Sequence, residues 1–176
     1  MPLNRRLAQI LILAFGTSAC EVSDPPATTD DTGDAPEVSE CGPTRAVVDK
    51  VIDGDTVVLA SGEKVRYLLV DTPEITNGKN ECFGQQARDF NAEYVLGKEV
   101  TLTYDVECAD PYDRLLAYVE VPDGELNSLL IARGYACVLD IPPNGEDRAG
   151  EFKAMQAAAQ EQKAGLWGMC GDVCGP

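Results

Sequence analysis

Hydrophobic residues in the first half of this chain come in short runs, not in long helical stripes. Val51-Ile52 and Val57-Val58-Leu59 lead through Ala60-Ser61-Gly62-Glu63-Lys64 into Val65 and Tyr67-Leu68-Leu69-Val70. Two β-branched runs joined by a Ser-Gly turn predict an antiparallel hairpin, each run forming one strand. Residues 45–52 read as a strand that leads into it. The period then changes: Phe83, Ala87, Phe90 and Tyr94 recur at helical spacing, and Gly97 is placed to end that helix. Residues 100–104 and 115–121 alternate as strands, 127–133 form a short helix closed by Gly134, and 135–139 are extended. A last helix over 148–163 turns Phe152, Met155 and Ala159 inward and ends at Gly165. No long helix links parallel strands, which argues against a doubly wound sheet. The order fits an α+β domain: a five-stranded Greek-key barrel with about three packed helices. There is no internal repeat.

The two ends have a different character. Arg5 and Arg6 precede an apolar run over 7–15 and the small residues Gly16-Thr17-Ser18-Ala19, so residues 1–19 read as an export signal. The run is too short and wrongly flanked for a spanning helix. A cysteine directly after such residues resembles the bacterial lipoprotein signal, in which Cys20 becomes the lipidated first residue and holds the protein on the cell envelope. Ordinary secretion with cleavage nearby is the other reading. Residues 20–43 follow as a disordered acidic linker. They carry seven acidic residues, no basic ones and almost no large apolar side chain, so nothing there can offset the entropy of ordering. From residue 44 onward the chain has 23 acidic and 12 basic residues, a net of −11. That balance argues against a domain that grips nucleic acid through overall charge. Residues 44–168 hold everything able to build a core, and 169–176 form a cysteine-bearing tail.

The polar residues of the hairpin suggest chemistry. Asp55 and Asp71 lie at the outer ends of its strands, so closing the turn at Ser61-Gly62 brings their carboxylates together, with Glu74 just beyond. Converging carboxylates repel unless a cation sits between them, and an all-oxygen set suits a hard ion such as calcium. Arg66 enters the same neighbourhood from the second strand. A metal beside a fixed guanidinium is what phosphoryl chemistry uses. In isolation, Asp53-Gly54-Asp55-Thr56 is also ordinary turn chemistry.

The hairpin, together with Phe83-Gly84-Gln85-Gln86-Ala87, Asp110-Pro111-Tyr112-Asp113-Arg114-Leu115-Leu116, Leu126-Asn127, Gly134-Tyr135-Ala136 and Gly165-Leu166-Trp167, resembles the staphylococcal nuclease (thermonuclease) family over roughly residues 45–168. The resemblance implies an OB-fold and a calcium-dependent nuclease acting on DNA, RNA or both. Calcium would be held by Asp55, Asp71 and the carbonyl of Thr72, with Asp53 behind them. Catalysis would fall to Arg66, Glu74 and Arg114: Glu74 orients or deprotonates water, and the two arginines clamp the phosphate, leaving 3′-phosphate ends. Tyr112 would contact substrate. This chain departs from the family at Asp113, where glycine is usual, and at Pro111, where the best-known member has a phosphate-contacting lysine. It departs again near Asp140 and Pro142, where base-stacking tyrosines would fall.

The chain has no histidine, which excludes Ser-His-Asp and Cys-His catalysis and mixed Cys-His zinc sites. With Cys20 assigned to the signal, six cysteines remain, and an even number in an exported domain reads as three disulfides. On the resemblance, the expected pairs are Cys82–Cys108 tying the catalytic segments, Cys137–Cys170, and Cys41–Cys174 joining the domain's ends. Two function classes stay open at this point. One is the nuclease; the other is a non-catalytic surface OB-fold module that binds calcium, nucleic acid or protein.

Overall fold

The computed structural model describes residues 39–171 and Cys174. The signal at 1–19, Cys20 and the linker up to residue 38 therefore lie outside the described residues. Strands β1 (Arg45–Val51), β2 (Thr56–Leu59) and β3 (Lys64–Tyr67) form an antiparallel meander. The chain then makes the short strand β4 (Leu69–Asp71) and helix α1 (Gly84–Val95). It returns through the long strand β5 (Glu99–Ala109), β6 (Leu115–Val121) and the two-residue β7 (Gly124–Glu125). Helix α2 (Leu126–Ala132), strand β8 (Cys137–Leu139), helix α3 (Ala149–Glu161) and the single turn α4 (Leu166–Met169) complete it. The sheet order is β3-β2-β1-β5-β6-β7, and a further parallel pairing of β3 with β6 closes five strands into a barrel. The OB-fold expectation holds, with three packed helices and one extra turn.

Alternation explains the closure. In β5, Val100 and Leu102 point inward while Thr101 and Thr103 face out. Val48, Val57, Leu59, Val65, Ala117 and Val119 fill the interior from the other strands. Outside the barrel, Leu130 and Ile131 of α2 and Phe152 of α3 are all fully buried. Helix α1 buries Ala87, Phe90, Asn91 and Val95, and Phe90 stacks on Tyr135 at 4.2 Å between ring centroids.

The run from Val65 to Val70 is not one strand, as its hydrophobicity predicts. It breaks at Leu69, whose φ is 61°, and β4 leaves the barrel to pair with β8, with Asp71 opposite Cys137. The break is held by Asn127, fully buried at the start of α2. Its Nδ2 donates to the Leu68 carbonyl at 2.9 Å and the Ala117 carbonyl at 3.3 Å, and its Oδ1 accepts from Val119 N–H at 2.9 Å. One side chain thus supplies the bonds that a continuous strand would have made to β6.

None of the three expected disulfides forms, and the structure pairs the cysteines differently. Strand β5 runs five residues past the predicted end, carrying Cys108 to meet the incoming segment, where Tyr104 bonds the Pro43 carbonyl at 2.8 Å. The bond there is Cys41–Cys108, with Cα atoms 4.9 Å apart, in place of Cys82–Cys108 and Cys41–Cys174. The Trp167 segment does pack on the piece leading to Cys137, but at Gly134, whose carbonyl accepts Leu166 N–H at 2.8 Å. A β-carbon on Gly134 would lie 2.3 Å from the Ala164 carbonyl oxygen, so the two backbones touch directly. This leaves Cys170 beside Cys82 instead of Cys137, giving Cys82–Cys170 and Cys137–Cys174. These bonds close separations of 67, 88 and 37 residues, and each constrains the unfolded chain by ~2–4 kcal/mol. Among the described residues no helix is long and apolar enough to cross a membrane.

Replacing Asn127 with Ala leaves the Leu68 carbonyl and the Val119 amide without these partners, while the Ala117 carbonyl keeps its bond from Leu68 N–H at 3.0 Å. The expected loss is about 3 kcal/mol in urea denaturation of the oxidised protein. Unchanged stability would show that the kink is held by packing alone.

Candidate active site

Closure of the barrel places the candidate residues. In the parallel β3–β6 register, Arg66 stands opposite Leu116 and Val65 opposite Leu115. Side chains two residues apart share a face, so Arg66, Leu116 and Arg114 look out on the same side. Arg66 and Arg114 line one cavity of about 250 Å³ with Leu68, Leu69, Tyr112 and Ile141. Two arginines 48 positions apart in sequence meet because the strands that carry them are neighbours.

Arg66 is nearly buried, and each of its three nitrogens has a partner. Its Nε lies 3.2 Å from Asp55 Oδ1, its Nη2 3.0 Å from Asp71 Oδ1, and its Nη1 donates to the carbonyls of Tyr67 and Val70. Its guanidinium therefore acts as the counter-ion that ties the two expected metal ligands together. Arg114 leaves the turn between β5 and β6, a turn organised by Asp110. One Asp110 oxygen accepts from the backbone N–H groups of Tyr112 and Arg114, and the other accepts from Arg114 Nε at 2.7 Å and Nη2 at 2.6 Å. Burial pushes the Asp110 carboxyl up, but these bonds outweigh it and hold it below the usual range. Asp113 takes a left-handed φ of 62°, the conformation that glycine adopts most freely, in accord with its place at a usual glycine position. Tyr112 stands out in solvent with the Arg114 guanidinium 5.6 Å from its ring centre. Where stacking tyrosines are missing, the cavity wall is aliphatic, built by Leu139 and Ile141.

Asp55 sits in the tight loop between β1 and β2, only 3% exposed. Gly54 allows the loop to close on its neighbours, since a β-carbon there would lie 2.5 Å from Thr72 Cγ2 and 2.8 Å from Ala87 Cβ. Both Asp55 oxygens are used: Oδ2 accepts from Thr72 N–H at 2.7 Å and Thr72 Oγ1 at 2.9 Å, and Oδ1 accepts from Thr56 Oγ1 at 2.9 Å. Asp53 is buried behind it. Burial first, and then the negative charge of Asp55, pushes its carboxyl up to about 7. Asp71 is also raised, first by partial burial and then by Asp55, Glu74 and Glu81, against the opposing pull of Arg66. Burial is the main cause of both shifts, and the neighbouring carboxylates add to it.

The donor set therefore fits a hard cation: Asp55, Asp71 and the Thr72 carbonyl are all oxygen, and the hydroxyls of Thr56 and Thr72 can rotate away. Among the described residues, no three Asp, Glu, Cys or His side chains converge into a metal cage. The picture of three converging carboxylates gives way to two carboxylates joined by Arg66. The third, Glu74, is bonded within its own loop to Thr76 Oγ1 at 2.7 Å.

The site has supports that the motifs did not announce. Asn91 of α1 is fully buried; its Nδ2 donates to the Asp53 carbonyl at 3.0 Å and its Oδ1 accepts from Tyr67 Oη at 2.9 Å. A polar residue on the apolar stripe of a helix was the available signal. The sequence around Asp110 gives it no role of its own, and nothing in the sequence marks Thr76 or Glu81.

Comparison with known proteins agrees with this geometry. The model of the family described as "Staphylococcal nuclease homologue" matches residues 64–169. A thermonuclease of Staphylococcus intermedius is 35% identical over 126 residues, covering 69% of this chain and 74% of that protein. Endonuclease YncB of Bacillus subtilis is 36% identical over 136 residues, covering 73% of this chain and 64% of its own length. The prophage-derived endonuclease YokF of the same organism is 35% identical over 133 residues, of which this chain spans only 45% of its length. With a barrel closed through β3 and β6 and a match over most of its described residues, the chain belongs to the staphylococcal nuclease homologue family.

Proposed function

We propose that the protein is a calcium-dependent nuclease that hydrolyses phosphodiester bonds in DNA, RNA or both and leaves 3′-phosphate ends. The observation that carries this reading is the meeting of Arg66 and Arg114 at one cavity beside the Asp55–Asp71 pair. Support also comes from relatives named thermonuclease and endonuclease.

Bound calcium, held by Asp55, Asp71 and the Thr72 carbonyl, would supply a fixed double positive charge against a phosphate oxygen. Glu74 accepts a proton from the attacking water. The water oxygen bonds to phosphorus, the bond from phosphorus to the 5′ oxygen breaks, that oxygen takes a proton from solvent water, and Glu74 gives its proton back to solvent. Arg66 and Arg114 donate to the phosphate oxygens as their charge grows, a task for planar, permanently charged guanidinium groups. Asp110 holds Arg114 by its Nε edge and Nη2, so that Nη1 remains to reach the substrate. Tyr112 and the aliphatic wall of Leu139 and Ile141 shape the space for the adjoining nucleotide. We place the protein outside the cytoplasm, either anchored through Cys20 or released. A Cys20→Ser variant of the full chain is expected to leave the detergent phase; wild-type protein recovered unmodified in the medium would favour release.

The activity is tested on denatured DNA and on RNA. Cleavage is expected with calcium and none with a chelator, and Glu74→Gln or Arg114→Ala should each lower turnover by ~10²-fold or more in folded protein. A folded wild type without calcium-dependent cleavage, or variants as fast as wild type, would leave the surface binding module as the better reading.

The buried acid gives an independent test. Asp53 titrates at about 7 in the fold against 3.8 when unperturbed, so between those values the folded state holds a proton that the unfolded chain releases. Its stabilising protonated form is complete below 3.8 and is lost as the pH rises through about 7. Measured without calcium, Asp53→Asn is therefore expected to gain stability relative to wild type as the pH rises across that window. A gap that does not change with pH would contradict the shift.

A further inference from the structure

The loop over residues 72–82 carries Glu74 away from β4 and returns to α1. Its neck is closed by two bonds between one pair of residues. Glu74 N–H donates to Glu81 Oε2 at 2.8 Å, and Glu81 N–H donates to the Glu74 carbonyl at 2.9 Å. Within the loop, Thr76 Oγ1 donates to Glu74 Oε2 at 2.7 Å, and Lys79 N–H donates to the Thr76 carbonyl at 2.9 Å. The side of the neck towards α1 is rigid. A β-carbon on Gly84 would lie 2.6 Å from the Pro73 carbonyl oxygen, and the next residue after Glu81 is cross-linked as Cys82–Cys170. Glu74 is thus held both by its backbone and by one carboxylate oxygen, leaving Oε1 as the oxygen with no hydrogen bond among the described residues.

We propose that Thr76 and Glu81 are positioning residues for Glu74: Thr76 fixes which carboxylate oxygen is offered to water, and Glu81 fixes the backbone from which the side chain extends. Neither touches the reacting atoms, and the assignment rests on reading Glu74 as the acceptor of the proton from water. The side chain of Glu81 is about half exposed and 3.6 Å from Lys79 Nζ, so a merely solvated ion pair is the competing account. The two differ in what glutamine can do. Glutamine keeps an oxygen that accepts from Glu74 N–H and loses the charge that attracts Lys79.

The experiment uses the oxidised full chain with calcium and denatured DNA, comparing wild type, Glu74→Gln, Thr76→Val, Thr76→Ser, Glu81→Ala and Glu81→Gln. Thr76→Val and Glu81→Ala are expected to lower kcat by ~10-fold with KM nearly unchanged, the scale of losing an outer partner of a catalytic group. Thr76→Ser and Glu81→Gln are expected to restore most of the rate, because each returns the hydrogen bond. In the metal-free protein, amide deuterium exchange at Glu74 should speed up in Glu81→Ala and stay slow in Glu81→Gln. The proposal is overturned if Thr76→Val and Glu81→Ala match wild type, if Ser and Gln lose as much as Val and Ala, or if exchange at Glu74 ignores Glu81. A wild type that does not cleave removes the nuclease reading and this assignment together. A wild type that cleaves, with Glu74→Gln inactive and the other variants at full rate, removes only this assignment.

Discussion

The parallel pairing of β3 with β6 is the contact on which the rest of the architecture depends. It turns an open antiparallel sheet into a barrel, and its register sets Arg66 level with Leu116. Everything in the candidate site follows from that register: a shift of one residue would send Arg66 to the opposite face of the sheet. The strand ends immediately beyond, because Leu69 turns left-handed and Asn127 takes over the hydrogen bonds. This early stop carries Asp71 and Thr72 away from the barrel wall and against Asp55. The barrel thus supplies two arginines on one face, and the break supplies carboxylates beside them.

Charge decides how such a site can work. With a net of −11 from residue 44 onward, the protein has no general attraction for a polyanion, so local charge has to provide it. Arg66 already faces two carboxylates, and Asp53, Glu74 and Glu81 add negative charge around them in excess of its single positive charge. A bound cation would relieve that excess and free part of the guanidinium's charge for a phosphate. Pro111 supplies no charge to this face, and Leu139 and Ile141 supply no aromatic ring, so Arg66 and Arg114 are the positive groups that line the cavity.

Much of this was legible in sequence because it rests on local patterns. The β2–β3 hairpin follows from two β-branched runs around Ser61-Gly62, and strand 115–121 appears as predicted. Helix α1 begins within a residue of its expected start, though its buried face uses Val95 and Asn91 where periodicity favours Tyr94. What was not legible depends on long-range partners. The break at Leu69 lies inside an unbroken apolar run, and its cause, Asn127, is 58 residues later. The disulfides depend on how far β5 continues and on Gly134 meeting Gly165, neither of which spacing reveals. Glu81 and Thr76 are ordinary loop residues until the loop closes. The site's chemical groups could be named from the sequence, but what holds them could not.

The central claim is that Arg66 and Arg114 act on one phosphate beside a cation at Asp55 and Asp71. A crystal structure with calcium and a dinucleotide whose scissile ester oxygen is replaced by a methylene group tests it most directly. The account predicts one phosphonate group hydrogen-bonded to both guanidinium groups, with calcium bound by the two aspartates and the Thr72 carbonyl. A ligand phosphonate held by only one arginine, or calcium bound away from Asp55 and Asp71, would contradict it.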